Sequence, residues 1–165
     1  MKKAEPYIRS FLIAIIIGCV AYVLVMKVFH MVVVTGHSMQ PTYNDGDILL
    51  CTKGYDEDSL GRGDIIVFRY GYKPCVKRII GLPGDTVAVK DGQYVVNGEL
   101  LLYDPTNEPY VPMEDAGILT NGSVTLLPSE YFCSGDNRNA STDSREIGPI
   151  PYEQIYLKVV RRLFK

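Results

Sequence analysis

Residues 11–26 carry no charge, and Arg9 and Lys27 bracket them. Such a run constrains everything that follows, because a helix apolar on every side belongs in lipid or deep in a core. Its sixteen residues would rise only about 24 Å as a helix, short of a hydrocarbon layer of about 30 Å. Val28, Phe29 and residues 31–34 prolong the apolar character. Arg9 and Lys27 can snorkel toward opposite interfaces, so residues 7–29 can span. Lys2, Lys3 and Arg9 place the N-terminus on the cytoplasmic side and everything after the span outside. The competing reading is a cleavable secretory signal, with an apolar region of about 7–15 residues and a small-x-small site behind it. Here the run is longer, and the nearest match, Cys19-Val20-Ala21, falls within it. The expectation is an uncleaved anchor over residues 1–29, followed by a separate domain over 30–165.

That domain has room for one hydrophobic core and little more. It is expected to be mostly β. Short apolar runs at 48–51, 65–68, 76–80, 87–89, 94–96, 124–127 and 131–133 alternate with Asp45-Gly46, Pro83-Gly84, Asp91-Gly92, Asn97-Gly98 and Asn121-Gly122. Each of these pairs is a turn former. Residues 87–96 read as a hairpin, and 103–123, rich in Pro and acidic residues, as a surface excursion. Ser59-Leu60 and residues 151–156 suggest short helical turns. Residues 158–165 read as a final strand with solvated charges, with contact to anionic headgroups as the alternative. A formal net charge of −2 and the lack of a recognition motif argue against nucleic-acid binding. Cys51, Cys75 and Cys133 show no metal-ligand spacing and read as small buried hydrophobes, a single disulfide being the alternative.

Two residues stand out chemically. Ser38 lies in Thr35-Gly36-His37-Ser38-Met39-Gln40-Pro41-Thr42, just beyond the apolar segment. Lys77 heads Lys77-Arg78-Ile79-Ile80-Gly81, among aliphatic neighbours. A serine hydroxyl needs a base, and a lysine can serve only when neutral. At its ordinary pKa only about one lysine in 2,500 is neutral at pH 7. Burial among Val76, Ile79 and Ile80, with no carboxylate close in sequence, is the environment that would lower that pKa. On a strand, Lys77 and Ile79 would share one face, and Val76 and Arg78 the other. His37 is poorly placed as the base, since neighbours on an extended chain point to opposite sides. His30 reads as an interface or core residue.

The Ser38-Met39-Gln40-Pro41-Thr42 box, Gly63-Asp64-Ile65-Ile66-Val67-Phe68, the lysine box through Asp85 and the stretch Gly135-Asp136-Asn137-Arg138-Asn139-Ala140-Ser141-Thr142-Asp143-Ser144-Arg145 occur in this order. In these motifs the chain resembles the bacterial type I signal peptidases, in their Gram-positive-like, single-anchor form. The resemblance implies an antiparallel β-sheet or barrel domain behind one transmembrane helix. It implies a membrane-anchored serine endopeptidase that removes signal peptides from exported preproteins, with Ser38 as nucleophile and Lys77 as base. Ser141 would hydrogen-bond the amine, while Arg78, Asp136, Asp143 and Arg145 would form ion pairs around it. Met39 and Val76 would line a shallow substrate pocket, although both are equally readable as core. Catalytic support is also expected at Gly36, where many relatives carry a serine; the glycine leaves the second oxyanion donor unidentified. The implied partners are preproteins and the bilayer, with no metal or organic cofactor.

Rival readings are another Ser-Lys processing protease, either organellar or linked to conjugation, and a silent membrane-tethered β-domain. A self-cleaving repressor would need a DNA-binding domain where the span stands. The eukaryotic reticulum enzymes carry histidine where Lys77 stands.

Overall fold

A computed structural model describes residues 5–101, 116–119 and 122–165. Helix α1 covers Glu5–Val28. Its stretch Arg9–Val28 has a mean hydropathy of 2.6 and is long and apolar enough to cross a membrane. Side chains around it, among them Phe11, Ile16, Ile17 and Tyr22, are exposed. The helix stops one residue before the expected boundary. Phe29, which the sequence reading placed at the end of the span, instead opens strand β1, Phe29–Val33. Aromatic and β-branched side chains favour that change, and β1 finds an antiparallel partner in β2, Ile48–Thr52.

The remaining strands are β3 (Ile65–Tyr70), β4 (Lys73–Gly81), β5 (Thr86–Lys90), β6 (Gln93–Val96), β7 (Glu99–Leu100), β8 (Ser123–Thr125), β9 (Glu130–Ser134), β10 (Ile150–Pro151) and β11 (Ile155–Phe164). A short helix, α2, covers Ser144–Ile147. One sheet has the order β1-β2-β11-β3-β4-β9-β10 and the other β7-β6-β5-β8. All recorded pairings are antiparallel. The expected hairpin is β5–β6, turned by Asp91 and Gly92 at φ 52° and 73°, the left-handed pair that a tight hairpin needs. The C-terminal segment lies inside the first sheet, between β2 and β3.

Strands β4 and β9 position the functional region because both their faces are covered. Ile79, Tyr131 and Cys133 pack in one cluster with Ile66 and Phe68. Their neighbours Ile80 and Phe132 point the other way, into a cluster with Val87 and Tyr94 from the smaller sheet and Leu126 just beyond it. A third cluster, including Val34, Leu49, Val67 and Leu157, takes Val76 against it. Gly81 permits the joint: a Cβ there would lie 2.6 Å from Val87 Cγ2 and 2.9 Å from Leu126 Cδ1.

Most of the excursion expected over residues 103–123 lies outside the described residues. The part that is described departs from that reading, since Leu119 returns to the second cluster and is buried. Cys51, Cys75 and Cys133 are free thiols, with Cys51 and Cys133 buried and Cys75 half-buried.

Candidate active site

Ser38 sits in the loop between β1 and β2, and that loop is held from within. Val34 N–H donates to Asp47 O and Gly46 N–H to Val34 O, both at 2.9 Å. Gly36 N–H donates to Asp45 Oδ1 at 2.7 Å, with Gly36 at φ +90°, a conformation side chains resist. Gln40 N–H reaches His37 O and Tyr43 N–H reaches Met39 O, closing turns around the serine. The bond between Gln40 and Pro41 is cis. Arg162 of β11 ties the loop to the sheet through Asp47 Oδ2 at 3.1 Å.

Lys77 stands on β4 opposite Ile66. Ile66 and Ile79 both belong to the first cluster, so the amine rises from an apolar face. Only 4% of Lys77 is exposed. Its Nζ donates to Ser38 Oγ at 2.7 Å. Burial pulls the pKa of the amine below its ordinary value of 10.5, outweighing the opposing pull of Cys75, Asp143, Asp136 and Cys133. The two residues singled out in the sequence, 39 positions apart, are thus in direct contact, and the amine is desolvated.

The segment after β9 closes over this pair. Asn137 N–H donates to Ser38 O at 3.0 Å and its Nδ2 to His37 O at 3.2 Å. Gly135 allows the approach, because a Cβ there would overlap Ser141 Oγ and the Ser38 carbonyl oxygen. Neither Gly135 nor Asn137 was given a role in the sequence reading. A glycine before an Asp-Asn pair looks like any turn, and close backbone approach leaves no signature in sequence.

The four charged residues sort into two buried pairs. Arg78 grips Asp136 with Nε at 2.8 Å and Nη2 at 2.6 Å, and donates to Gly63 O at 2.8 Å. Thr42, also unassigned by the sequence reading, donates its hydroxyl to Asp136 Oδ2 and so links this pair to the serine loop. Arg145 holds Asp143 the same way, with Nε on Oδ1 at 2.8 Å and Nη2 on Oδ2 at 2.9 Å. Asp143 also accepts from Gly135 N–H at 2.9 Å and Ser134 Oγ at 3.0 Å. Burial would raise the Asp143 pKa, but Arg145, the Gly135 N–H and Ser141 outweigh it and hold the carboxyl below the usual range.

Ser141 differs from the expectation. Its hydroxyl donates to Asp143 Oδ2 at 2.8 Å, and no bond to Lys77 is recorded. A fully ionised carboxylate, fixed by Arg145, is the stronger acceptor for that proton. Ser141 still packs with Ser38 against Gly135. Gly36 offers no side-chain donor and its N–H is used by Asp45. The Ser38 N–H has no acceptor among the described residues. His37 is exposed, and the recorded partner of the serine hydroxyl is Lys77. A groove of about 330 Å³ runs up to the pair, lined by Val32, Val34, Ser38, Met39, Cys75, Val76 and Lys77. Both Met39 and Val76 are therefore on its wall; Met39 is also buried in the protein interior.

Comparison with known proteins identifies the family. The sequence profile of the "signal peptidase, peptidase S26" family matches residues 7–164. Signal peptidase I of Bacillus caldolyticus is 40% identical over 151 residues, covering 86% of this chain and 82% of that protein. Signal peptidase I V of Bacillus subtilis is 36% identical, with coverage of 84% and 90%. A mitochondrial inner membrane protease subunit 1 from Xenopus tropicalis is 33% identical, with coverage of 89% and 76%. The crystal structure of a signal peptidase I from Enterococcus faecalis superposes with a TM-score of 0.50 at 31% identity, over 62% of this chain and 97% of that one. With the profile spanning nearly its whole length, the chain belongs to the signal peptidase, peptidase S26, family.

Proposed function

We propose that this protein is a membrane-anchored serine endopeptidase that removes signal peptides from exported preproteins, using Ser38 and Lys77. The observation that carries this reading is the 2.7 Å contact between the Ser38 hydroxyl and the amine of Lys77, a residue only 4% exposed. When the amine is neutral, the contact reverses and the hydroxyl donates to the nitrogen lone pair. Ser38 Oγ then attacks the scissile carbonyl carbon as Lys77 takes its proton. Collapse of the tetrahedral species breaks the C–N bond, and Lys77 returns the proton to the leaving amine. The resulting ester is hydrolysed by water, which Lys77 deprotonates in turn. The free Ser38 N–H supplies one donor to the developing oxyanion.

Met39 and Val76 narrow the groove beside the serine and favour small side chains before the cut. Asp143 acts at a distance, holding Ser141 and Gly135, while Arg78–Asp136 anchors the serine loop through Thr42. Helix α1 keeps the enzyme in the bilayer that also holds the substrate's apolar segment, so the two meet at a set depth. Lys2, Lys3 and Arg9 orient it with the N-terminus cytoplasmic and residues 30–165 outside.

The test is cleavage of a preprotein by purified enzyme. Ser38→Ala is expected to reduce cleavage to background while the circular dichroism spectrum is unchanged. Lys77→Arg is expected to be equally inactive, because a guanidinium does not deprotonate. The wild-type rate should climb as pH rises through an apparent pKa below 10.5 and fall away beneath it. Cleavage that survives Ser38→Ala would refute Ser38 as the nucleophile, and absence of cleavage by the wild type would leave a binding domain as the reading.

A further inference from the structure

A second pocket opens on the other side of the catalytic loop. It has a volume of about 380 Å³, and its wall includes Arg138, Ser141, Thr142, Arg145 and Glu146. None of the residues that line the apolar groove takes part in it. Ser141 and Ser38 both abut Gly135, so this pocket begins close to where the apolar groove ends. A chain lying extended across Ser38, with its small residue against Met39 and Val76, would send its departing segment this way.

Arg138 distinguishes the pocket. Arg145 is committed to Asp143, whereas Arg138 has no hydrogen bond or ion pair among the described residues. Its Nη1 is sealed from water without a hydrogen-bond partner. The guanidinium lies over the ring of Tyr94, 5.1 Å from the centroid. Tyr94 is itself pinned, its hydroxyl donating to Ser134 Oγ at 2.8 Å. A cation–π contact offsets part of the cost of shielding the charge and fixes its position, but it provides no acceptor. With no carboxylate bound to it among the described residues, the edge of this guanidinium that lines the pocket can receive one. Glu146 stands exposed on the same wall and sets a penalty on any weakly held anion.

We propose that Arg138 forms a subsite for an acidic side chain in the first few residues of the mature protein, downstream of the cut. This rests on the peptidase reading above. The alternative source of an anion, a lipid phosphate, is disfavoured because the pocket adjoins Ser141 on the catalytic loop.

The experiment uses full-length enzyme in phosphatidylcholine vesicles. Its substrates are preproteins identical except for Glu, Gln or Lys placed singly at the first four positions after the cut. Wild-type kcat/KM is expected to favour Glu over Gln by about fivefold or more at one of these positions, with Lys worse than Gln. In Arg138→Gln that ratio should fall to one, in Arg138→Lys it should be partly kept, and in Glu146→Gln it should increase. Because each ratio is taken within one variant, a general loss of folding or activity cancels. A wild-type ratio near one at all four positions, or a ratio unchanged in Arg138→Gln, overturns the subsite while leaving peptidase activity standing. It is equally overturned if phosphatidylglycerol raises all three rates alike and the rise requires Arg138. If no substrate is cleaved at all, it is the peptidase reading that fails.

Discussion

Neutral lysine has a thermodynamic signature as well as a kinetic one. Burial lowers the Lys77 pKa in the folded chain, so between that value and 10.5 the unfolded chain binds more protons. Stability must then fall as pH falls from 10.5 toward the depressed pKa, by up to about 1.4 kcal/mol per pH unit, and level off below it. Lys77→Met keeps the volume and removes the penalty. Thermal unfolding in neutral detergent is expected to show this inactive variant melting above the wild type at pH 7. The advantage should shrink as pH approaches 10.5; an advantage independent of pH would contradict the burial of a neutral amine. On the proposed mechanism the site trades stability for a usable base, and Ser38 benefits only because the two groups touch.

At the scale of elements, the loop after β9 does the positioning, and it depends on one absent side chain and one carboxylate. Gly135→Ala must push either Ser141 or the Ser38 backbone away. A displacement of about 1 Å at a reacting group can cost about 100-fold in rate. The expected result is a kcat lowered by that order, accompanied by a lower melting temperature from the overpacking, read by steady-state cleavage alongside calorimetry. Asp143→Asn acts differently. Arg145 is buried at 4% exposure, and removing its partner should cost about 3–5 kcal/mol in a denaturant titration at pH 7. Because the folded-state pKa of Asp143 is depressed, its contribution is complete above the unfolded value near 3.8. It disappears as pH falls through the folded value, so the two proteins should converge in acid.

For the whole molecule, the joint between the sheets matters most, since β4 and β9 serve two cores at once. Gly81→Val would force methyl groups into Val87 and Leu126, and overpacking of this kind costs about 1–3 kcal/mol. That substitution is expected to lower the melting temperature and to loosen Tyr94, detectable as faster amide exchange in β5 and β6. Unchanged exchange there would show the smaller sheet to be independent of the larger one.

Much of this architecture could be read before any coordinates. An uncharged apolar run of this length reads as a helix able to cross a membrane, because an unpaired backbone in lipid is too costly. Alternating apolar residues between Gly-containing turns must pair as strands, and a serine beside a turn together with a lysine among aliphatics singles out the two groups that the fold brings into contact. Such signals are local, so a linear chain displays them. Tertiary structure alone decided that the helix gives way to a strand at Phe29, that Leu119 turns back into a core, and that Ser141 gives its proton to Asp143. It also decided that Arg78 takes Asp136 while Arg145 takes Asp143, and that Gly135 sits against the serine. Each of these is a choice among partners distant in sequence, settled by which groups lose water together, and composition and spacing carry no record of it.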